Sequence, residues 1–309
     1  MPEVRFTALV ARHELKSRAR GHSPKTLAWY AGHLRDYEQW RISTGRPDEV
    51  PSEETIDEYV AYQRGRNLSD STVLARYRAI RAVLLFAESR RLITREQNPT
   101  HDIKPPEIPR YRPRHVTPDE WRILYDSVIG DRWTDHRDRL IMYLLFFSGL
   151  RLGEICALEV TDINLARREV WVRRGKGAKQ RMVPITPDIH PIFLAYLYAR
   201  PSTAPELLLA SIGHAYKAGG PLKPAGLRQV LRRRCDAAGT EQLSAHKWRH
   251  GFAMWLRNQG TDLSDIATAM GHSTTQVTEK YYAFTLPPAV HKAYSRALDR
   301  LKQQGDSQE

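Results

Sequence analysis

Through the first ninety residues the apolar positions recur three and four apart, the period of helices that bury one face. Val4, Leu9, Val10 and Leu15 predict a short helix over residues 4–17. Ser23-Pro24 reads as an N-cap followed by proline in the first turn. Leu27, Tyr30, Leu34 and Tyr37 then fall at spacings of 3, 4 and 3, so one apolar face runs toward Trp40. Arg35 and Arg41 lie among the polar positions, and Gly45-Arg46-Pro47 ends the run. Ser52 opens a further helix, with Glu53 and Glu54 in the first turn, where the helix dipole favours acids. Ser69 or Ser71 opens the next, with Val73, Tyr77, Ile80 and Leu84 inward and Arg76, Arg78 and Arg81 on its other faces. This predicts an all-helical, basic N-terminal unit.

The pattern changes at Asn98. Pro99, Pro105, Pro106, Pro109 and Pro113 are interspersed with Lys104, Arg110, Arg112 and Arg114. Such a stretch predicts an extended, semi-rigid basic linker, placed at residues 105–114 between domains at 1–104 and 115–309. A basic linker between two halves can track a phosphate backbone. Thr117-Pro118-Asp119-Glu120 carries the signature of a capping box with proline at the first helical position. Leu140, Tyr143, Leu144 and Phe147 form the face of a core helix that Gly149 interrupts. Residues 169–174 alternate, Gly175-Lys176-Gly177 supplies a turn, and residues 180–185 return, which predicts a β-hairpin. Pro224–Ala238 reads as a helix rich in arginine (Arg228, Arg232, Arg233, Arg234), and a final helix is predicted near residues 288–302. The fold class is therefore mainly α with a small β-hairpin or sheet (α+β).

Charge sharpens this outline. The 309 residues hold 48 Lys+Arg against 35 Asp+Glu, a formal net charge of +13, and the pI is near 9.8. A polyanion is the expected partner, nucleic acid or an acidic surface. Cys156 and Cys235 stand far apart without metal-ligand spacing, as expected of a reduced cytoplasmic protein. Arg5, Arg12 and His13 interrupt the N-terminus before an apolar core forms, so no secretory signal is expected. The most apolar run, residues 140–150, is too short to span a bilayer, so no membrane partner is expected.

The chemistry concentrates between Ser244 and Tyr282. Ser-Ala-His-Lys-Trp-Arg-His occupies residues 244–250, Met-Gly-His residues 270–272, and Glu-Lys-Tyr-Tyr residues 279–282. On a helix, His246, Arg249 and His250 share a face, with Ser244 as N-cap and Phe252, Trp255 and Leu256 continuing the apolar spacing. Arginine forks onto two phosphate oxygens at once, histidine donates or shuttles a proton near neutral pH, and tyrosine can attack phosphorus once its phenol is deprotonated. Histidines at i and i+4 also suggest zinc, but Lys247 and Trp248 follow His246 where the metalloprotease motif has glutamate. No acidic cluster stands ready for a metal, and preorganised donors can take its place in stabilising a phosphoryl transition state. Neither metal nor cofactor is expected. Upstream, Ser-Gly-Leu-Arg-Leu-Gly-Glu (148–154) puts Arg151 just after an apolar helix, with Glu154 three residues on.

Gly-Leu-Arg-x-x-Glu, Gly-Lys-Gly, His-x-x-Arg-His, Gly-His and Tyr, in this order, resemble the tyrosine recombinase (phage integrase) family over residues 26–282. The resemblance implies a helical core-binding domain and a catalytic domain closing as a C-shaped clamp on double-stranded DNA. It implies strand cutting and rejoining through a 3′-phosphotyrosyl intermediate without metal or ATP. Residue by residue, the nucleophile falls on Tyr281, the phosphate clamp on Arg151 and Arg249, with His246 beside them and His272 as a further donor. Lys176 matches the family's general acid, with Lys179 the weaker candidate. Glu154 would orient the site, and His250 would pack or hydrogen-bond behind it. Tyr281 lies nine positions after His272; helical periodicity does not choose between Tyr281 and Tyr282, so the choice rests on the resemblance. Trp248, Gly251 and Met270 depart from the family's frequent leucine, threonine and leucine, and none removes a polar catalytic group. A compact Xer-like or simple integrase layout is expected, working as a homo- or hetero-tetramer on two duplexes in the cytoplasm, at the nucleoid, with the use of an accessory DNA-bending protein left open. The alternatives are an inactive DNA-binding relative and a type IB topoisomerase-like enzyme.

Overall fold

The structure is a computed structural model, and it describes residues 4–108, 114–173, 180–212 and 217–271. The chain divides into two compact units, Met1–Tyr111 and Arg112–Glu309.

The first unit is built from four helices, α1 (Phe6–Ala19), α2 (Pro24–Ser43), α3 (Glu53–Gly65) and α4 (Asp70–Ser89). The serine signals act as read. Ser23, Ser52 and Ser69 each accept the backbone N–H three residues on, at 3.1, 3.2 and 3.3 Å, satisfying donors that a helix start leaves orphaned. Of the two serines offered for α4, Ser69 is the cap. Helix α4 is central. It buries Val73, Leu74, Tyr77, Ala79, Ile80, Val83, Leu84 and Ala87 against the other three helices.

Three side chains depart from the sequence reading. Leu15 is exposed, and α1 turns Phe6, Leu9, His13 and Ser17 inward instead. Arg41 is buried, forking onto Glu38 (2.6 and 2.9 Å) and donating to the Arg46 carbonyl at 2.7 Å. Arg76 is an internal tie, 2.9 Å from Asp36, which also accepts from Tyr59, Gln63 and Arg66. The proline-rich stretch also begins inside this unit. Asn98, Thr100 and Ile103 are buried around a 3₁₀ turn, with Asn98 donating to Glu88 at 2.6 Å. Residues 109–113 lie outside the described residues.

In the second unit, α5 (Pro118–Asp126) starts with both halves of its capping box, Glu120 N–H to Thr117 Oγ1 at 3.2 Å and Thr117 N–H to Glu120 at 2.9 Å. Helix α6 (Trp133–Phe147) is the axis of the core. It is buried on all sides, beyond the one face the periodicity suggests, because α8 (Ile189–Ala199), α10 (Ala245–Asn258) and α5 all pack on it. Its first turns carry charge into that core. Arg137 forks onto Asp138 (2.8 and 2.9 Å) and donates to the Leu209 carbonyl. Arg234 of α9 (Pro224–Ala237) reaches both Asp135 and Asp138 at 2.7 Å. Arg234 thus neutralises buried carboxylates, which would be costly to leave unpaired.

The predicted hairpin forms as β2 (Glu169–Val172) and β3 (Arg181–Pro184), antiparallel with Val172 opposite Arg181. A short β1 (Ile163–Asn164) joins its edge, and a second hairpin, β4 (Leu209–Ile212) with β5 (Lys217–Pro221), went unread in the sequence. The five-residue α7 (Leu152–Cys156) and α11 (Leu263–Met270) complete the described elements. Among the described residues no helix is long and apolar enough to cross a membrane.

Candidate active site

The site collects where α7, α10, α11 and β3 meet. Two glycines permit that approach. At Gly149, φ is +58° and a Cβ would lie 2.2 Å from the Phe252 ring of α10. At Gly251, inside α10, a Cβ would lie 2.4 Å from the Val116 carbonyl. A side chain at 251 would push α10 off the segment whose Val116 N–H donates to the Lys247 carbonyl at 3.1 Å. The departures from the family pattern thus have packing causes. Trp248 and Met270 are likewise core residues, and Met270 clusters with Phe252, Ala253 and Ile266.

Arg151 precedes α7, and Glu154 folds back on it. The Arg151 N–H donates to Glu154 Oε2 at 2.8 Å, and Arg151 Nη1 donates to Oε1 at 2.8 Å. The other guanidinium nitrogen, Nη2, donates to the Gly271 carbonyl at 3.0 Å. Arg249 is buried in α10 and grips the neighbouring backbone, with Nη1 on the Gly149 carbonyl and Nη2 on the Met270 carbonyl. The two guanidiniums therefore converge on consecutive carbonyls at the end of α11, where Gly271 takes a left-handed φ of +63°. That conformation suits glycine. His272 is the next residue in the chain.

His246 is exposed one turn before His250, which is buried; their rings meet edge to face with centroids 4.5 Å apart. Crowding by neighbouring atoms, then the Arg249 and Arg151 cations, lower the His246 pKa below its ordinary 6.5. That direction favours the neutral imidazole, the form able to accept a proton. Ser244 stands at the N-cap position of α10 in extended conformation, but its side chain makes no capping bond, unlike the serines of the first unit.

Sequence reasoning missed one residue. Arg181 of β3 forks onto both oxygens of Glu154, Nη1 to Oε1 at 2.9 Å and Nη2 to Oε2 at 2.8 Å. A signal was available. Val183 and Ile185 alternate as β-branched apolar residues, so in a strand of period two Arg181 shares their face. An inward arginine needs an acceptor. Burial alone would raise the Glu154 pKa, but Arg181 and Arg151 outweigh it and hold the carboxyl at about 2.

That depression makes stability depend on pH. Glu154 is ionised and paired above its ordinary 4.5, and its contribution is lost as pH falls from there toward 2. The shift corresponds to on the order of 3 kcal/mol. The stability advantage of the wild type over Glu154→Gln, measured by thermal unfolding from about pH 7 down to about pH 2, should shrink through that window. An advantage that stays constant would contradict the pairing.

Of the residues proposed from sequence, Arg151, Glu154, His246, Arg249 and His250 are thus described in one site. Lys176, Lys179, His272, Tyr281 and Tyr282 lie outside the described residues. Among the described residues no group of three or more His, Cys, Asp or Glu is arranged to hold a metal ion.

A mainly helical fold with small antiparallel sheets and paired arginines behind a histidine defines a class. Residues 114–286 match the phage integrase family, and the chain belongs to that family, the tyrosine recombinases. It is 32% identical over 266 residues to tyrosine recombinase XerA of Thermococcus kodakarensis, covering 86% of this chain and 87% of the relative. It is 30% identical over 295 residues to tyrosine recombinase XerD of Mycobacterium tuberculosis, covering 92% and 94%. Among solved structures, the Tn1549 transposon integrase in complex with circular intermediate DNA superposes with a TM-score of 0.71 at 21% identity, over 94% of this chain and 99% of that one. A lambda integrase dimer bound to a COC′ core site gives 0.69 at 17% identity, over 90% and 95%.

Proposed function

We propose that this chain is a site-specific DNA recombinase that cuts and rejoins strands through a tyrosine-linked 3′ phosphate. The observation that carries the reading is the convergence of Arg151 and Arg249 on the end of α11. Such a cradle suits a phosphodiester. Forked donors meet the non-bridging oxygens, where charge develops in the transition state.

The Tyr281 oxygen attacks phosphorus, a phosphotyrosyl bond forms, and the bond to the 5′ oxygen breaks. His246 is able to accept the phenol proton, Lys176 supplies a proton to the departing 5′ oxygen, and His272 adds a donor to the phosphate. The phosphodiester energy is kept in the new ester, so a second 5′ hydroxyl can reverse the step onto another strand without metal or ATP. Tyr281, Lys176 and His272 carry these roles by their place in the family's motifs.

In this proposal both units contact the duplex. Four protomers, alike or of two kinds, act on two duplexes, and the enzyme works at the nucleoid. Solved relatives in complex with DNA, among them the lambda integrase dimer on its core site, support the DNA partner.

The test uses a library of random-sequence duplexes, each nicked so that a cleaved fragment diffuses away. Duplexes that stay bonded to the chain after denaturation identify both the activity and a substrate. Recovery of no bonded DNA would overturn the reading. Binding to the recovered duplex should also fall steeply with salt, each neutralised phosphate adding about −0.9 to the log–log slope. A net charge of +13 spread over two DNA-facing units implies several such contacts. A flat response, read by fluorescence anisotropy, would remove the phosphate-backbone component.

A further inference from the structure

We infer that Arg181 is a positioning residue of the active site, holding Glu154 so that Arg151 stays aimed at the phosphate. The inference rests on the recombinase reading above. Four groups close a ring. Arg181 forks onto both Glu154 oxygens, Glu154 accepts one bond from the Arg151 guanidinium, and Arg151 donates to the Gly271 carbonyl. The ring closes where Gly271 lies against Arg181, for a Cβ at 271 would sit 2.9 Å from Arg181 Nε.

The physical reason lies in the competition for one carboxylate. A carboxylate presents about four lone pairs, and guanidinium prefers to take both oxygens at once. With Arg181 in place, the Glu154 oxygens are already engaged, so the Arg151 guanidinium gives it a single nitrogen and places the other on the Gly271 carbonyl. Without Arg181, Glu154 would draw the whole Arg151 fork onto itself and away from substrate. Arg181 also restores the electrostatics. Glu154 cancels one positive charge, and the guanidiniums of Arg151, Arg181 and Arg249 leave the cluster with two in excess. A third consequence follows from its place in β3. Arg181 stands opposite Val172 and five residues after Lys176 in the sequence, and so ties β3, which follows the proposed general acid, to the arginine cradle.

The test measures covalent cleavage and binding separately, on the duplex recovered with the wild-type chain. Arg181→Gln should slow cleavage on the order of ten- to a hundredfold, as loss of an outer partner of a functional group does, and leave the dissociation constant for DNA within about twofold. Arg181→Lys keeps the charge without the fork and should fall between. Because Arg181 acts through Glu154, the double variant Glu154→Gln/Arg181→Gln should be no slower than the worse single one. This double variant also leaves neither partner buried as a lone charge, so it keeps the test alive if Arg181→Gln alone does not fold. Losses that multiply in the double variant, or cleavage at the wild-type rate by Arg181→Lys, would overturn the inference. Failure of the wild-type chain itself to form the adduct would instead refute the recombinase reading.

Discussion

Tyr281→Phe should abolish the covalent DNA adduct while leaving DNA binding in place. Phenylalanine keeps the ring and removes only the nucleophilic oxygen. Tyr282→Phe is the matched control and should retain at least part of the activity. On a helix the two would project about 100° apart, and only one could face a given phosphate. The register that selects Tyr281 is its distance of nine from His272, the spacing of the family motif. Mass spectrometry of the trapped adduct reads the answer directly, and a phosphate on Tyr282 would reverse the assignment.

Much of this molecule was legible because its signals are local. The first unit's serine caps, the Thr117–Glu120 box and the β2–β3 pairing depend on neighbours within a few positions, and the structure has each of them, whereas Ser244 makes no capping bond. What escaped was set at long range. Helix α6 reads as one-sided, yet four helices pack on it, and its Asp135 and Asp138 find Arg234 nearly a hundred residues away. Arg41, Arg76 and Arg234 read only as basic positions on their helices for the same reason. An arginine's role depends on which carboxylate lies across the fold, and spacing along one helix does not give that. The β4–β5 hairpin lacks a clear alternation because glycines fill β5 and a bulge breaks its register.

The active site divides the same way. The Arg151–Glu154 pair lies within one turn and shows in the motif, whereas Arg181 comes from another strand and shows only through the parity it shares with Val183. The glycines at 149, 251 and 271 are visible as letters, but the reasons for them are not. Each is fixed by an atom from elsewhere in the chain: the Phe252 ring, the Val116 carbonyl and the Arg181 side chain.

Arg249→Gln should slow cleavage by about 10²–10³, the range for removing one preorganised donor from a transition-state cradle. The substitution has a second, structural effect that must be separated from the first. Arg249 is buried, and both its terminal nitrogens satisfy backbone carbonyls, of Gly149 and Met270. Leaving such acceptors unpaired costs about 1–3 kcal/mol, which thermal unfolding would register. Charge on the substrate separates the two. A methylphosphonate at the scissile position replaces a charged non-bridging oxygen with a methyl group, so that linkage has no anionic charge for the guanidinium to meet. If Arg249 acts on that charge, the penalty of Arg249→Gln should shrink to a small factor on the methylphosphonate duplex while the loss of stability stays the same. If the residue serves only to hold α10 and α11 together, both substrates should suffer alike, since the misplaced backbone is common to them. Equal penalties would therefore leave Arg249 as a structural tie and pass the phosphate contact to Arg151, the more open of the two arginines.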